Sequence, residues 1–495
     1  MRRVRSVSPT TAAGAGFSRG TFLCGALGIA MAGWGFTGMS DADPVADSSG
    51  PGAATPNWSM LERRIRGRVV DADDADYGMA KQVFNTRFDG ETPIAVVQAA
   101  DTDDVVAAMS FAAEHRLPVA ARSGGHSYAG VSTASGAMII DVRQLTGVSV
   151  DAGRAVVAPG HTLYEVYREL DRSGLTIPTG MCPDVGIAGL ALGGGIGFES
   201  RAYGVTCDRL AGATLVLPDG TVTAVSETSR PELFWALRGG GPLFGVVTSL
   251  TFDTCPATSK DLVRLTFPGD RAARVIAGWS TWLRCADRSE WADVSVDADG
   301  DGNLDCWMQM VCPAGSGRRA AAALTDAIGM QPLSVDTQTL DHMDTITYLA
   351  GGGPTTPRAS FTNGSDVVTD LTPDAIAYII EALTAFSSAG GTGWVQINTL
   401  DGAIGDTAPT ATAFPWRTHA ALVEWGAYQP IPHDTALAWI TAAHRRFAPV
   451  SAGAYVNYLE PGDPLSRYYA QNYPRLAALR RTIDPDNRIR TVLTA

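Results

Sequence analysis

Two reactive side chains sit inside glycine loops. His126 lies in RSGGHSYAG, residues 122–130, and Cys182 lies in GMCPDVGIAGLALGGGIG, residues 180–197, where seven glycines surround one cysteine. Imidazole nitrogen and thiolate are both nucleophiles. Adjacent glycines let the backbone approach a ligand closely and turn amide N–H groups toward phosphate oxygens. Glycine costs backbone entropy in helix or strand, so a run of this density is no ordinary core element. It must lie against something flat or anionic. Taken singly, each residue reads as a loop histidine or a small buried thiol; together, in two such loops, they point to a ligand site.

The elements that must hold these loops follow from periodicity. Leu117 to Ala121 reads as a strand ending in a glycine turn, so the histidine loop leaves a strand end. Thr92 to Ala100 reads as a buried strand. Thr102 and Asp103 can cap a helix whose apolar positions Val105, Val106, Met109, Ala112 and Ala113 recur at helical spacing. Strand-like 137–142 and 155–158 follow, then a helix from Thr162 to about Ser173 that buries Leu163, Val166 and Leu170 and stops at Gly174. This alternation gives an α/β lobe. Beyond Pro256, helical stretches 271–284, 316–328 and 373–388 separate strand candidates 292–296 and 393–400, which gives an α+β second lobe.

Composition narrows the partners. The 495 residues carry 38 basic and 51 acidic side chains, a net charge of −13. Nucleic acid and anionic membrane surfaces are therefore poor partners. A chain this long divides into lobes with separate cores. Seven cysteines show no CxxC pair and no Cys/His ligand spacing, so no metal site is expected. Cys306 and Cys312 form a weak candidate pair. Arg2, Arg3 and Arg5 precede a small-residue apolar stretch from Thr21 to Gly38, which reads as an export signal rather than a membrane span. Gly20 stands where a twin-arginine signal has its second arginine, so a twin-arginine-like route and the general secretory route both stay open.

These loops, together with YGVTCDRL (203–210), PELFWALRGG (231–240), YVNY (455–458), NYPRL (472–476) and DPDN (484–487), resemble the berberine bridge enzyme-like FAD-linked oxidases. That family has the vanillyl-alcohol-oxidase, or PCMH-type, FAD-binding fold. The resemblance implies an exported bacterial member of class α+β: an α/β FAD-binding lobe of the PCMH type and an α+β substrate lobe with an antiparallel sheet. The implied layout is 1–40 export signal, 41–57 linker, 58–255 FAD-binding domain, 256–450 substrate-binding domain, and 451–495 returning to the FAD domain.

The resemblance also assigns roles. His126 would bond the flavin 8α-methyl carbon and Cys182 the flavin C6, holding FAD bicovalently. Arg122, Ser123, Gly124, Gly125, Ser127, Val185, Gly186, Gly189, Gly193, Gly194, Val246 and Asn457 would contact the cofactor. Val185 matches a position that gates oxygen, and its size resembles the oxidases; Leu190 stands where some plant members have histidine. Tyr458 matches the base that takes a hydroxyl proton while hydride moves to flavin N5, and Tyr128 lines the substrate side. A phenol near pKa 10 would need nearby positive charge or hydrogen bonds to serve as base. Tyr455 competes with Tyr458, and strand alternation would put the two on opposite faces.

Pro242 and Leu243 depart from the family pattern, as does Trp416, which stands where histidine is frequent. Trp394, Trp416 and Trp425 offer either a stacking surface for a sugar ring or ordinary core aromatics. The expected activity is oxidation of an alcohol, foremost the anomeric hydroxyl of a sugar or oligosaccharide, with O2 reduced to H2O2. A tailoring oxidoreductase of a glycosylated polyketide or other secondary metabolite is the second reading. A flavin-containing binding protein without turnover is the third.

Overall fold

The computed structural model describes residues 56–491, so the export-like segment and most of the linker lie outside the described residues. Three strands pair in parallel, Ala95–Gln98, Met138–Asp141 and Val119–Arg122, with Arg68–Asp71 antiparallel at one edge. The helix Thr102–His115 covers this sheet with Val105, Met109 and Ala112 inward. Its cap is Asp101, whose carboxylate accepts from Asp104 N, not Thr102 or Asp103. The free edge at Val119 is closed by the chain's far end: Val119 N donates to Arg488 O and Arg490 N to Val119 O. The lobe also contains a five-stranded antiparallel sheet, which the helix–strand alternation did not foresee.

The second lobe is an eight-stranded antiparallel sheet backed by helices. Its strands alternate sharply. Ala292, Val294 and Val296 face the helices with Val395, Ile397 and Val423, while Asp293, Ser295, Asp297, Gln396 and Glu424 take the other face. Period-two geometry puts all the polar positions on one side, and that side looks toward the first lobe. The strand Ser451–Gly453 joins this sheet's edge before the chain crosses back. Cys306 and Cys312 are free thiols on one strand, Leu304–Pro313, facing the same core. Six residues of extended chain separate them by roughly 20 Å, too far to pair. Among the described residues no helix is long and apolar enough to cross a membrane.

Buried ion pairs join the lobes. Arg417 of the second lobe meets both Asp208 oxygens at 2.7 Å, with its side chain fully buried. Arg201 likewise donates to Asp401 at 2.6 Å and 3.0 Å. Removing one partner leaves a buried charge uncompensated, which costs far more than losing a surface pair. Arg417→Ala is therefore expected to destabilise the protein by about 3–5 kcal/mol, measured by denaturant unfolding.

Candidate active site

A cavity lies between the lobes. Its floor is the two glycine loops: Ser123 to Tyr128 from the first, and Gly180 to Cys182, Val185, Gly186, Gly189 and Leu190 from the second. Val246 closes the floor from the five-stranded sheet. The roof is the polar sheet face: Ser295, Asp297, Trp307, Trp394, Gln396, Asn398 and Glu424. Tyr455, Asn457 and Tyr458 form a side wall.

The loops interlock through glycine alone. A Cβ on Gly124 would stand 2.2 Å from Gly186 N, and one on Gly186 would stand 2.1 Å from Gly124 N. The amides of Gly124 to Tyr128 find no acceptor among the described residues, and Gly125 has φ +73°. Successive free N–H groups around a left-handed residue form a concave anion nest. Among the described residues, no lysine or arginine lines the cavity. A pyrophosphate there would be held by backbone dipoles. Gly189 faces open cavity, with nothing within 4 Å of where its Cβ would be. A flat ligand fits over that gap, and FAD has the required combination of ring and pyrophosphate.

Three of the expected contacts lie elsewhere. Arg122 is buried beneath the loop, donating to Asp141 Oδ2 at 2.8 Å, where it ties the Val119–Arg122 and Met138–Asp141 strands together. Gly193 packs under Asn457 Oδ1, and Gly194 against Phe414 and Tyr455. Each supports the floor from behind.

His126 stacks on Phe84 at 4.0 Å, and its open side faces the cavity. Burial pulls its pKa down to about 3, so the ring is neutral with a lone pair available at pH 7. Cys182 lines the same cavity, with its sulfur disulfide-bonded in this structure. A bond from that sulfur to a flavin carbon requires the thiol, so the two states exclude one another.

A cluster of titratable groups lines the cavity. The rings of Tyr128 and Tyr458 stack at 4.9 Å and 9°. Tyr128 Oη donates to Glu424 Oε1 at 3.4 Å, Asn363 Nδ2 donates to the same oxygen at 3.3 Å, and the Tyr458 hydroxyl faces this carboxylate too. Glu424 Oε2 is buried with no protein partner. Burial pushes the Glu424 carboxyl up to about 7, although the two tyrosine hydroxyls and Asn363 pull it down. Burial and the Glu424 charge hold both tyrosines well above 10. The sequence argument expected positive charge or hydrogen bonds to lower a phenol pKa. The structure places a carboxylate there instead, so a phenolate is not the resting form.

Tyr455 also reaches this wall, because Val456–Tyr458 is a turn of 3-10 helix and not a strand. Its ring meets that of Tyr458 at 5.2 Å and 74°. Its hydroxyl is already engaged, accepting from Gly195 N at 2.7 Å and Asn457 Nδ2 at 2.8 Å. Asn457 Nδ2 also donates to Leu190 O at 3.0 Å, which fixes the turn to the glycine floor. Of the three tryptophans, only Trp394 lines the cavity, stacked on Tyr428 at 4.5 Å. Trp416 and Trp425 are core aromatics.

Sequence reasoning missed Glu424, Asp297, Gln396 and Trp307. Only Asp297 had a signal in the sequence, as one of the polar residues at every second position in Trp291–Asp299, a strand otherwise of core residues; the other three stand on separate strands.

A glycine-loop floor with a free-amide nest, beneath a polar sheet, defines an FAD-linked oxidoreductase. Known proteins agree. Residues 93–226 match the family model described as FAD binding domain, and residues 454–491 the model described as berberine and berberine like. The FAD-linked oxidoreductase YgaK of Bacillus subtilis is 30% identical over 86% of this chain and 96% of its own. The xylooligosaccharide oxidase of Thermothelomyces thermophilus is 28% identical over 89% of this chain and 94% of its own. The solved structure of BBE-like 1 from Physcomitrella patens superposes with a TM-score of 0.81, covering 88% of this chain and 98% of that one at 23% identity, and shows the fold. The chain belongs to the berberine bridge enzyme-like family of FAD-linked oxidoreductases.

Proposed function

We propose that the protein oxidises a hydroxyl-bearing carbon of a neutral sugar, foremost the anomeric carbon of a mono- or oligosaccharide, giving a lactone. The observation that carries this reading is the Tyr128–Tyr458–Glu424 cluster beneath a roof of carboxylates, amides and two indoles, with no lysine or arginine among the described lining residues. Carboxylate and amide oxygens accept from sugar hydroxyls, and an indole receives the apolar face of a pyranose. An anionic substrate would find no partner here. The xylooligosaccharide relative acts on a substrate of this chemistry.

FAD, when bound, supplies the two-electron acceptor for the substrate's hydride and passes the electrons to O2, which takes two protons to become H2O2. The chain's residues handle the proton and the geometry. Tyr458 Oη takes the proton of the reacting hydroxyl as its own proton passes to Glu424, so negative charge never rests on the phenol. Asn363 holds the carboxylate, and Tyr128 fixes the plane of Tyr458 by stacking. Holding the reacting C–H and O–H together replaces a loss of freedom that would otherwise slow the step.

Covalent tethering belongs to the same proposal. His126, neutral, and Cys182, as a thiolate once its disulfide is reduced, are the residues that would hold FAD covalently; each tether would replace one flavin C–H bond by C–N or C–S, releasing a proton and passing two electrons through the flavin to O2. Val185, small and beside the loop, leaves room for O2. Residues 1–40 support export of the protein.

The test is H2O2 release and flavin bleaching with glucose, cellobiose and xylobiose, set against glucuronic acid. Bleaching by a neutral sugar with equimolar peroxide is expected. Flavin that stays oxidised with every neutral sugar would overturn the reading and favour a tailoring oxidoreductase or a binding protein. Tyr458→Phe is expected to slow flavin reduction by about 10²-fold or more with unchanged flavin content. An unchanged rate would remove Tyr458 from the mechanism. Peptide mass mapping after denaturation checks the tethers: flavin should bridge the His126 and Cys182 peptides.

A further inference from the structure

We propose that His444, on the far side of the substrate sheet from the cavity, is a positioning residue that sets Tyr458 against Glu424. The inference rests on the acid–base reading above. His444 uses both ring nitrogens: Nδ1 lies 2.7 Å from Asp366 Oδ2 and Nε2 lies 2.9 Å from Glu460 Oε2. Two carboxylates on two nitrogens call for two donors, which only the imidazolium provides; Arg467 Nη2 also lies 3.2 Å from Nδ1, a second cation held by the same two carboxylates. Asp366 belongs to the strand Phe361–Val368, and Glu460 stands two residues beyond Tyr458.

The clamp converges on Ser365. Tyr455 N donates to Ser365 Oγ at 3.1 Å, Ser365 N to Glu460 Oε1 at 3.3 Å, and Arg467 Nη2 to Ser365 O at 2.8 Å. Ser365 is the cross-strand partner of Glu424. The segment 455–460 is thus pinned at both ends to the residue opposite the proton acceptor, with Tyr458 between the pins. Glu460 also lies directly over Gly364, where a Cβ would meet Oε2 at 2.5 Å. Trp425 Nε1, next to Glu424 in the chain, donates to Asp366 Oδ2 at 3.0 Å. Losing the imidazolium leaves Asp366, Glu460 and Asp463 facing Arg467, with Tyr468 Oη at 3.0 Å from Asp463.

A recess lined by Asp366, His444, Ser451 and Arg467 opens the cluster to solvent, so the ring can titrate. Burial lowers the His444 pKa, but the bonds to Asp366 and Glu460 outweigh it and hold the ring at about 9. The clamp is closed below that pH and released as pH rises through it.

The test compares the full-length protein with His444→Gln. In hydrogen exchange, residues 454–460 and 421–425 are expected to exchange at least about 10-fold faster in the variant, while helix 473–483 keeps its rate. Turnover of xylobiose per bound flavin is expected to fall roughly 10- to 100-fold in kcat with little change in KM. The descending limb expected near pH 9 in the wild type should be absent from the variant. Unchanged exchange at 454–460, or a variant with lower Tm but wild-type kcat and pH profile per flavin, would overturn the proposal. If the variant does not fold, the wild type decides. Reversible loss of turnover through pH 9 with flavin and circular dichroism intact supports the clamp, and a flat profile to pH 10.5 refutes it. Full activity in Tyr458→Phe would instead sink the acid–base reading itself.

Discussion

Replacing Glu424 by glutamine is expected to lower kcat/KM by about 10²–10⁴-fold, the span by which a positioned proton acceptor accelerates a reaction. The side chain keeps its size, and Asn363 can still hydrogen-bond the amide oxygen, so flavin content should not change. The pH dependence gives the sharper signature. Burial holds the Glu424 carboxyl at about 7, and the acceptor must be ionised. Wild-type activity should therefore rise through pH 7, and the variant should lack that limb. A stability change of opposite sign is expected. A carboxyl whose folded pKa lies above its unfolded value stabilises the fold fully below the unfolded pKa and loses that contribution as pH rises through the folded one. At pH 8 the wild type therefore carries a buried charge that the variant lacks, and Glu424→Gln should show the higher Tm. Steady-state peroxide assays from pH 5 to 9, with melting curves at pH 5 and 8, check both. A full-rate variant would reject Glu424 as the acceptor.

The loop residues were legible because their chemistry is local. Two glycine-dense loops with a histidine and a cysteine restrict what the backbone can do, and that restriction is written in consecutive positions. The helix Pro373–Ser388 was legible for the same reason, since a threonine cap, a proline at its start and helical spacing lie in one stretch. Glu424 was not. Its strand, Ala421–Tyr428, is apolar on both sides of a single buried acid, and nothing nearby in sequence shows that Tyr128 and Tyr458 come to meet it. The opposite-face argument for Tyr455 and Tyr458 failed because four residues were taken as a strand where the chain makes a 3-10 turn. The charge around the tyrosines was not legible either. A phenol base called for positive groups or hydrogen bonds nearby, whereas burial and the Glu424 carboxylate raise the Tyr458 pKa.

Gly124→Ala is expected to abolish flavin loading, and a second glycine shows why this would be specific. The new methyl would stand 2.2 Å from Gly186 N and 2.7 Å from Asp184 O, both backbone atoms. No rotamer change relieves such a contact, so the two loops must separate and the nest of free amides opens with them. Gly186→Ala meets Gly124 N and Ser123 Oγ, each at 2.1 Å, and should behave alike. At Gly189 a methyl meets nothing within 4 Å and would project into the cavity itself. Gly189→Ala should therefore fold with wild-type stability when apo, yet bind flavin weakly if the ring system passes over that position. The flavin absorbance ratio of purified variants, with melting curves before and after reconstitution with FAD, separates the cases. Wild-type loading in Gly124→Ala would mean that the loops do not need contact. Wild-type loading in Gly189→Ala would place the flavin elsewhere in the cavity.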